Sequence, residues 1–183
     1  MKFKISPCFI LLLSIAAYKG YGLEIAVTMG IILLHELGHL LVLIAVGAHI
    51  HSIRLGVFGA VIIHGTVSRW EGLCAVAGPL VNSILCFVPA SVFFHQVNLA
   101  LLLYNLLPIF PLDGGRILQW CLLRFFSHEQ AAKRMVYVRY GVLFAAVFLG
   151  IYLSFGGKFG VYPLLAAIML LIRCHFLTVS SAV

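Results

Sequence analysis

The residues best suited to chemistry are His35-Glu36-Leu37-Gly38-His39, set in an apolar run from about Ile25 to Val46. On a helix, residues four apart share a face, so His35 and His39 can bind one metal ion through two imidazoles. Glu36, one step round, can hold a water beside that ion and take its proton, which makes it the candidate catalytic base. This chain's own residue frequencies predict roughly 0.007 chance matches to His-Glu-x-x-His. An ionisable side chain near the middle of a membrane span costs about 2.5–3.5 kcal/mol on insertion scales, so its presence there points to function.

A catalytic zinc takes three protein ligands and keeps a fourth position open. The third donor should be a carboxylate, histidine or cysteine at matching depth. Asp113 is the sole aspartate in the chain, and it follows Asn105-Leu106-Leu107-Pro108-Ile109-Phe110-Pro111-Leu112. Two prolines three apart, then Asp-Gly-Gly, cannot continue a regular helix, so an element must break there. The competing reading is an Asp113–Arg116 ion pair, three residues apart on a helical turn. Because Pro-Pro-Gly-Gly would make a poor turn for that pair, we read Asp113 as the ligand.

The other polar residues carry plainer readings. His49, His51 and His64 are taken as interfacial side chains rather than a second metal site, and His95, His128 and His175 likewise. Glu24, Glu71 and Glu129 mark solvated ends of apolar segments. Asn82 either hydrogen-bonds across helices or orients an extended substrate strand, since a buried amide needs a partner in both cases.

These residues need elements to position them, and composition says which kind. Of 183 residues, 63% are hydrophobic and only 9% charged, against about 25% charged in soluble domains. This is the profile of an all-α polytopic membrane protein. The formal charge of +7 sits between apolar spans, where it sets orientation; no nucleic-acid partner is implied. Five cysteines form no CxxC pair and read as small buried hydrophobes.

About six spans are expected. Lys2 and Lys4 precede the first, Ile5 to about Tyr18, read as retained rather than as a cleaved signal peptide. The second, about Leu23 to Val46, carries the histidines. Glycine-punctuated, β-branched sequence follows, and residues 50–65 read as a short membrane-embedded β-loop packed on protein or lining a wet cavity. A third span should run from Glu71 to about Phe94, with Pro79 kinking it and Gly78 permitting close helix contact. A short connection near His95-Gln96-Val97-Asn98 then leads to a fourth span from Leu99. Residues 116–139, cationic apart from Glu129, read as an exposed loop with an amphipathic helix on the membrane surface. Spans from Tyr140 to Phe155 and from Val161 to Ile172 complete the set. Residues 1–183 are expected to form a single domain, with no repeat or appended domain read among them.

Charge bias orients the spans. With both termini in the cytoplasm, Lys2, Lys4, Arg54, Arg69, Arg116, Arg124, Lys133, Arg134, Arg139 and Arg173 lie inside, and Lys19 and Lys158 lie outside. His35, His39 and Asp113 then fall at similar depth, toward the cytoplasmic side.

Three motifs in this order, His35-Glu36-Leu37-Gly38-His39, Ala77-Gly78-Pro79-Leu80-Val81-Asn82 and Asn105-x-x-Pro108-x-x-Pro111-x-Asp113-Gly114, resemble those of the site-2 proteases, which are intramembrane zinc metalloproteases. The likeness covers about residues 5–120. It implies one zinc ion on His35, His39 and Asp113, Glu36 as general base, and Asn105 with Pro108 and Pro111 helping to place substrate. It also implies a membrane-embedded β-loop beside the site. The substrate would be a membrane-associated protein in the lipid bilayer, with a pro-sigma factor of sporulation as one such class, and with an inhibitory membrane partner as a form of control. Some members carry a CBS or a PDZ domain, and no segment here reads as either. The rival readings are a metal transporter and a zinc-binding scaffold without proteolysis. Transport would want further ligands along several spans, and none is read beyond this cluster.

Overall fold

A computed structural model describes residues 2–5, 7–56, 59–65, 70–155, 164–165 and 167–172. The chain divides into two compact units, Met1–Leu106 and Leu107–Val183.

The first unit opens on strand β1 (Lys2–Ile5), followed by helix α1 (Pro7–Tyr18). Lys-Phe-Lys-Ile alternates with the period of a strand, and its backbone pairs parallel to β2 (Ile50–Gly56). The lysines expected to flank a first span are therefore strand residues. β2 pairs antiparallel with β3 (Gly59–His64), giving the order β1-β2-β3 with β3 at an edge. These strands occupy the segment in which a β-loop was expected.

Helix α2 (Gly22–Ala45) matches the expected second span within one residue at each end. It closes in a Schellman motif: Gly47 adopts φ +72°, its N–H bonds the Ile44 carbonyl at 3.0 Å, and the Ala48 N–H bonds the Leu43 carbonyl at 2.9 Å. The left-handed backbone at Gly47 is what a side chain would resist. Ile31, His35, Gly38, His39 and Leu43 form the buried stripe of α2, at helical spacing. The opposite face, Leu33, Leu34, Leu37, Leu41 and Ile44, is exposed and apolar.

Helix α3 (Glu71–Leu85) packs on α2, and α4 (Val92–Asn105) packs on both. Small residues make the α2–α3 approach close. A Cβ at Gly38 would stand 2.7 Å from Val81 Cγ2 and 2.8 Å from the Ala77 carbonyl oxygen. The break between α3 and α4 falls at 86–91, not at 95–98 as expected. Pro89 disfavours helix at the residue before it, and the Ser91 side chain caps α4 by accepting from Phe94 N–H at 3.2 Å. His95 and Asn98 thus belong to a helix.

The second unit begins with a bend, 107–112, in which the Phe110–Pro111 peptide is cis. The element break expected at the prolines is present. Helix α5 (Asp113–Phe125) then starts at Asp113 itself, and α6 runs unbroken over His128–Phe155. Residues 116–139 are accordingly helical on either side of a short turn rather than a loop, and the helix expected from Tyr140 starts at His128. Within this cationic segment the acid and base at Glu129 and Lys133 pair at i,i+4, which supports helix (2.7 Å).

By length and composition α2 and α6 are long and apolar enough to cross a membrane. Helices of 12, 15 and 14 residues (α1, α3, α4) are about 18–23 Å long, against about 30 Å of hydrocarbon. The sixth expected span falls partly outside the described residues, as do Gly156, Gly157 and Lys158.

Candidate metal centre

Helix spacing alone puts His35 and His39 on one face; their neighbours decide which ring nitrogen carries the proton. His39 Nδ1 lies 2.7 Å from the Cys74 backbone carbonyl, which can only accept, so Nδ1 carries the proton. His35 Nδ1 likewise donates to Asn82 Oδ1 at 2.6 Å. In each neutral ring the lone pair is then left on Nε2. The two Nε2 atoms face one another at 3.2 Å, with the rings inclined at 81°. Two nitrogens bound about 2.0 Å from a tetrahedral ion stand about 3.3 Å apart, so this spacing suits a shared metal. Both imidazoles are buried.

Gly78 of α3 lies against this pair. A Cβ there would overlap both rings and stand 2.7 Å from His35 Nε2. Space at that position is therefore taken by the imidazoles, a role beyond the helix contact foreseen for it. Asn105, the last residue of α4, brings its amide nitrogen within 3.4 Å of His35 Nε2, a long contact. Converging lone pairs, held from behind by fixed acceptors and lined by glycine, fit a metal ion. Glu36 follows His35 on α2 and is half-buried.

Asn82, for which two roles stood open, makes hydrogen bonds across helices: its amide joins α3 to His35 on α2 and to Asn98 on α4. Asn98 is a member of this hydrogen-bond network that the sequence reading missed, because it was placed in a connection. A usable signal existed. Asn98 and Asn105 are seven apart, two turns on one face of a mostly apolar helix.

In the second unit, Asp113 is 7% exposed and opens α5. Its carboxylate stands 3.9 Å from the Arg116 guanidinium, so the helical-turn contact judged unfavourable does form. The reason lies at Gly115, where a Cβ would press on the Ile109 carbonyl; glycine lets the bend close over the first turn of the helix. Pro108 and Pro111 lie in the bend.

His49 and His51 are exposed, with ring centroids 6.2 Å apart, and belong to no group of three metal-type side chains among the described residues. The side chain of His64 and all of His175 lie outside the described residues.

Residues 87–149 match the model of peptidase family M50. That stretch takes in Asn98, Asn105 and Asp113 but not the α2 histidines. The resemblance to site-2 proteases read from the motifs is supported by named relatives. A Synechocystis protein provisionally named a zinc metalloprotease is 37% identical over 103 residues, covering 46% of this chain and 27% of its own. A zinc metalloprotease of Methanocaldococcus jannaschii is 32% identical over 118 residues, or 56% of this chain and 35% of its own. Stage IV sporulation protein FB of Bacillus subtilis is 31% identical over 135 residues, or 64% of this chain and 46% of its own. The chain thus spans less than half the length of each. Its fold is that of a solved site-2 protease from Methanocaldococcus jannaschii, with a TM-score of 0.64 at 23% identity, over 92% of this chain and 87% of that one.

Proposed function

We propose that this chain is a zinc-dependent intramembrane endopeptidase of the site-2 protease type, acting on a membrane-associated protein near the cytoplasmic face. The observation that carries the reading is the pair of His35 and His39 Nε2 atoms, 3.2 Å apart with their tautomers set by Asn82 and Cys74. Asp113 is the proposed third ligand. Its support is donor chemistry: two imidazoles and one carboxylate make a common catalytic zinc set, and all three residues are buried. When bound, one zinc ion would supply Lewis acidity toward a peptide carbonyl and raise the acidity of water.

The remaining steps belong to side chains of this chain. Glu36 takes a proton from the attacking water and delivers it to the leaving amine. His35 and His39 keep their lone pairs on Nε2 through the cycle. Asn105, at the end of α4, and the Pro108–Pro111 bend help place the substrate. A helical substrate must unwind before its carbonyls are accessible, and the edge of β3 offers backbone groups that could hold it extended by strand addition.

The membrane reading, with six spans, a membrane-embedded 50–65 loop and both termini in the cytoplasm, is supported by the exposed leucines of α2 and by the positive-inside count. The match to stage IV sporulation protein FB is in keeping with a sporulation role; a pro-sigma factor as substrate and an inhibitory membrane protein as control are part of the proposal, taken from the resemblance of the motifs. The test is cleavage of a co-expressed, membrane-tethered pro-sigma reporter by the native chain and by Glu36→Gln at equal zinc content. Cleavage by the native chain alone is expected. Equal cleavage by both would overturn Glu36 as base, and absence of zinc from both would overturn the metalloprotease reading.

A further inference from the structure

Asn98 and Asn82 are both fully buried, and the hydrogen bonds between them have a direction imposed from one end. The Asn82 backbone carbonyl can only accept. Asn98 Nδ2 donates to it at 2.9 Å, and the same amino group lies 3.2 Å from Cys86 Sγ. Asn98 Oδ1 is thereby turned to Asn82, whose Nδ2 donates to it at 2.9 Å. Asn82 Oδ1 is then left to face His35, and accepts from Nδ1 at 2.6 Å.

We infer that Asn98 is a positioning residue of the metal centre: through the Asn82 amide it holds the His35 proton on Nδ1 and the lone pair on Nε2. The consequence for metal affinity rests on the reading of His35 as a ligand; the tautomer itself does not. Without Asn98, Asn82 has two self-consistent orientations. In one its oxygen accepts from His35 Nδ1. In the other its amino group donates to Nδ1, the proton moves to Nε2, and His35 can no longer ligate. Asn98 removes the second state. His39 needs no such device, because the Cys74 carbonyl cannot flip.

The test uses the metal-free full chain and reads the His35 imidazole ¹⁵N shifts in native protein, Asn98→Leu and Asn98→Asp, then titrates each with zinc alone. Asn98→Leu should populate the Nε2-protonated tautomer and lose on the order of 10–100-fold in zinc affinity, as outer partners of metal-bound histidines do. Asn98→Asp keeps an oxygen for Asn82 Nδ2 and, as the neutral acid, an O–H for the Asn82 carbonyl, and should restore both readouts. A packing role would give the reverse order, with leucine tolerated and the buried charge harmful. Should Asn98→Leu fail to fold by circular dichroism, Asn98→Ala carries the same comparison. His35 still protonated only on Nδ1 in the apolar variant would overturn the relay. A shifted tautomer with native zinc affinity would overturn the positioning role. A native chain that binds no zinc, while its variant shifts tautomer, would sink the metalloprotease reading and leave the relay standing.

Discussion

Polar groups are handled in opposite ways in the α2–α3–α4 cluster and along α5–α6. In the cluster His35, His39, Asn82 and Asn98 are 0–6% exposed, each with a partner of fixed direction, while leucines occupy the outer face of α2. Beyond the first turn of α5, Arg124, Glu129, Lys133 and Arg134 are exposed and loosely held. Arg124 lies over the Trp120 ring at 4.5 Å, Arg134 over Phe126 at 3.8 Å, and Lys133 pairs with Glu129. A buried polar group left unpaired costs about 1–3 kcal/mol, whereas an exposed ion pair is worth about 0–1 kcal/mol. The cluster therefore tolerates few substitutions and the helical surface many, which is why the cluster is the place to look for chemistry.

The sharpest way to test that contrast is Glu36→Gln, which should lower cleavage by about 10²–10⁴-fold while zinc content is unchanged. Loss of zinc together with activity would instead make Glu36 part of the metal cradle. Next in size is Gly78→Ala. The added methyl meets both imidazoles, so zinc affinity should fall roughly 10–100-fold for an overpacking cost of about 1–3 kcal/mol, read by zinc titration and by melting. Gly38→Ala meets Val81 and the Ala77 carbonyl, away from the imidazoles. It should cost a similar 1–3 kcal/mol of stability yet change zinc affinity less than Gly78→Ala does. If the two glycines behave alike, Gly78 serves helix packing and not the histidines. Removing zinc by chelation should lower stability by about 2.7 kcal/mol relative to zinc held at a hundred times its Kd, seen as a concentration-dependent Tm. At the small end, Lys133→Ala should change stability by at most about 0.5 kcal/mol and leave zinc binding alone. A larger effect would mean that the α6 surface is not the tolerant region the comparison makes it.

Much of the fold was legible where a single strong pattern governed. The long apolar run around His35 and His39 defined α2 to within a residue. The prolines at 108 and 111 marked the break before Asp113. Boundaries failed where two weak signals competed. Continuous apolar sequence hid the stop at Pro89 and Ser91, so α4 was started late and Asn98 was taken for a loop residue. Positive charge between 116 and 139 read as loop, although arginine and lysine are good helix formers and pair at helical spacing. The two residues Lys2 and Lys4 read as a charged flank, when their alternation with Phe3 and Ile5 was the pattern that mattered.

The sequence by itself determined the donor types and their local spacing: two imidazoles a helical turn apart, a carboxylate beside the first, and a lone aspartate after a helix break. Those are short-range consequences of a 3.6-residue period and of proline's missing donor. Only the tertiary structure decided which nitrogen of each histidine carries the proton, because that depends on an acceptor brought up from another helix. Cys74 and Asn82 come from α3, 35 and 47 residues along the chain from the rings that they orient, and Asn98 comes from α4. Hydrogen-bond direction is a property of contacts, and no spacing within one helix encodes it.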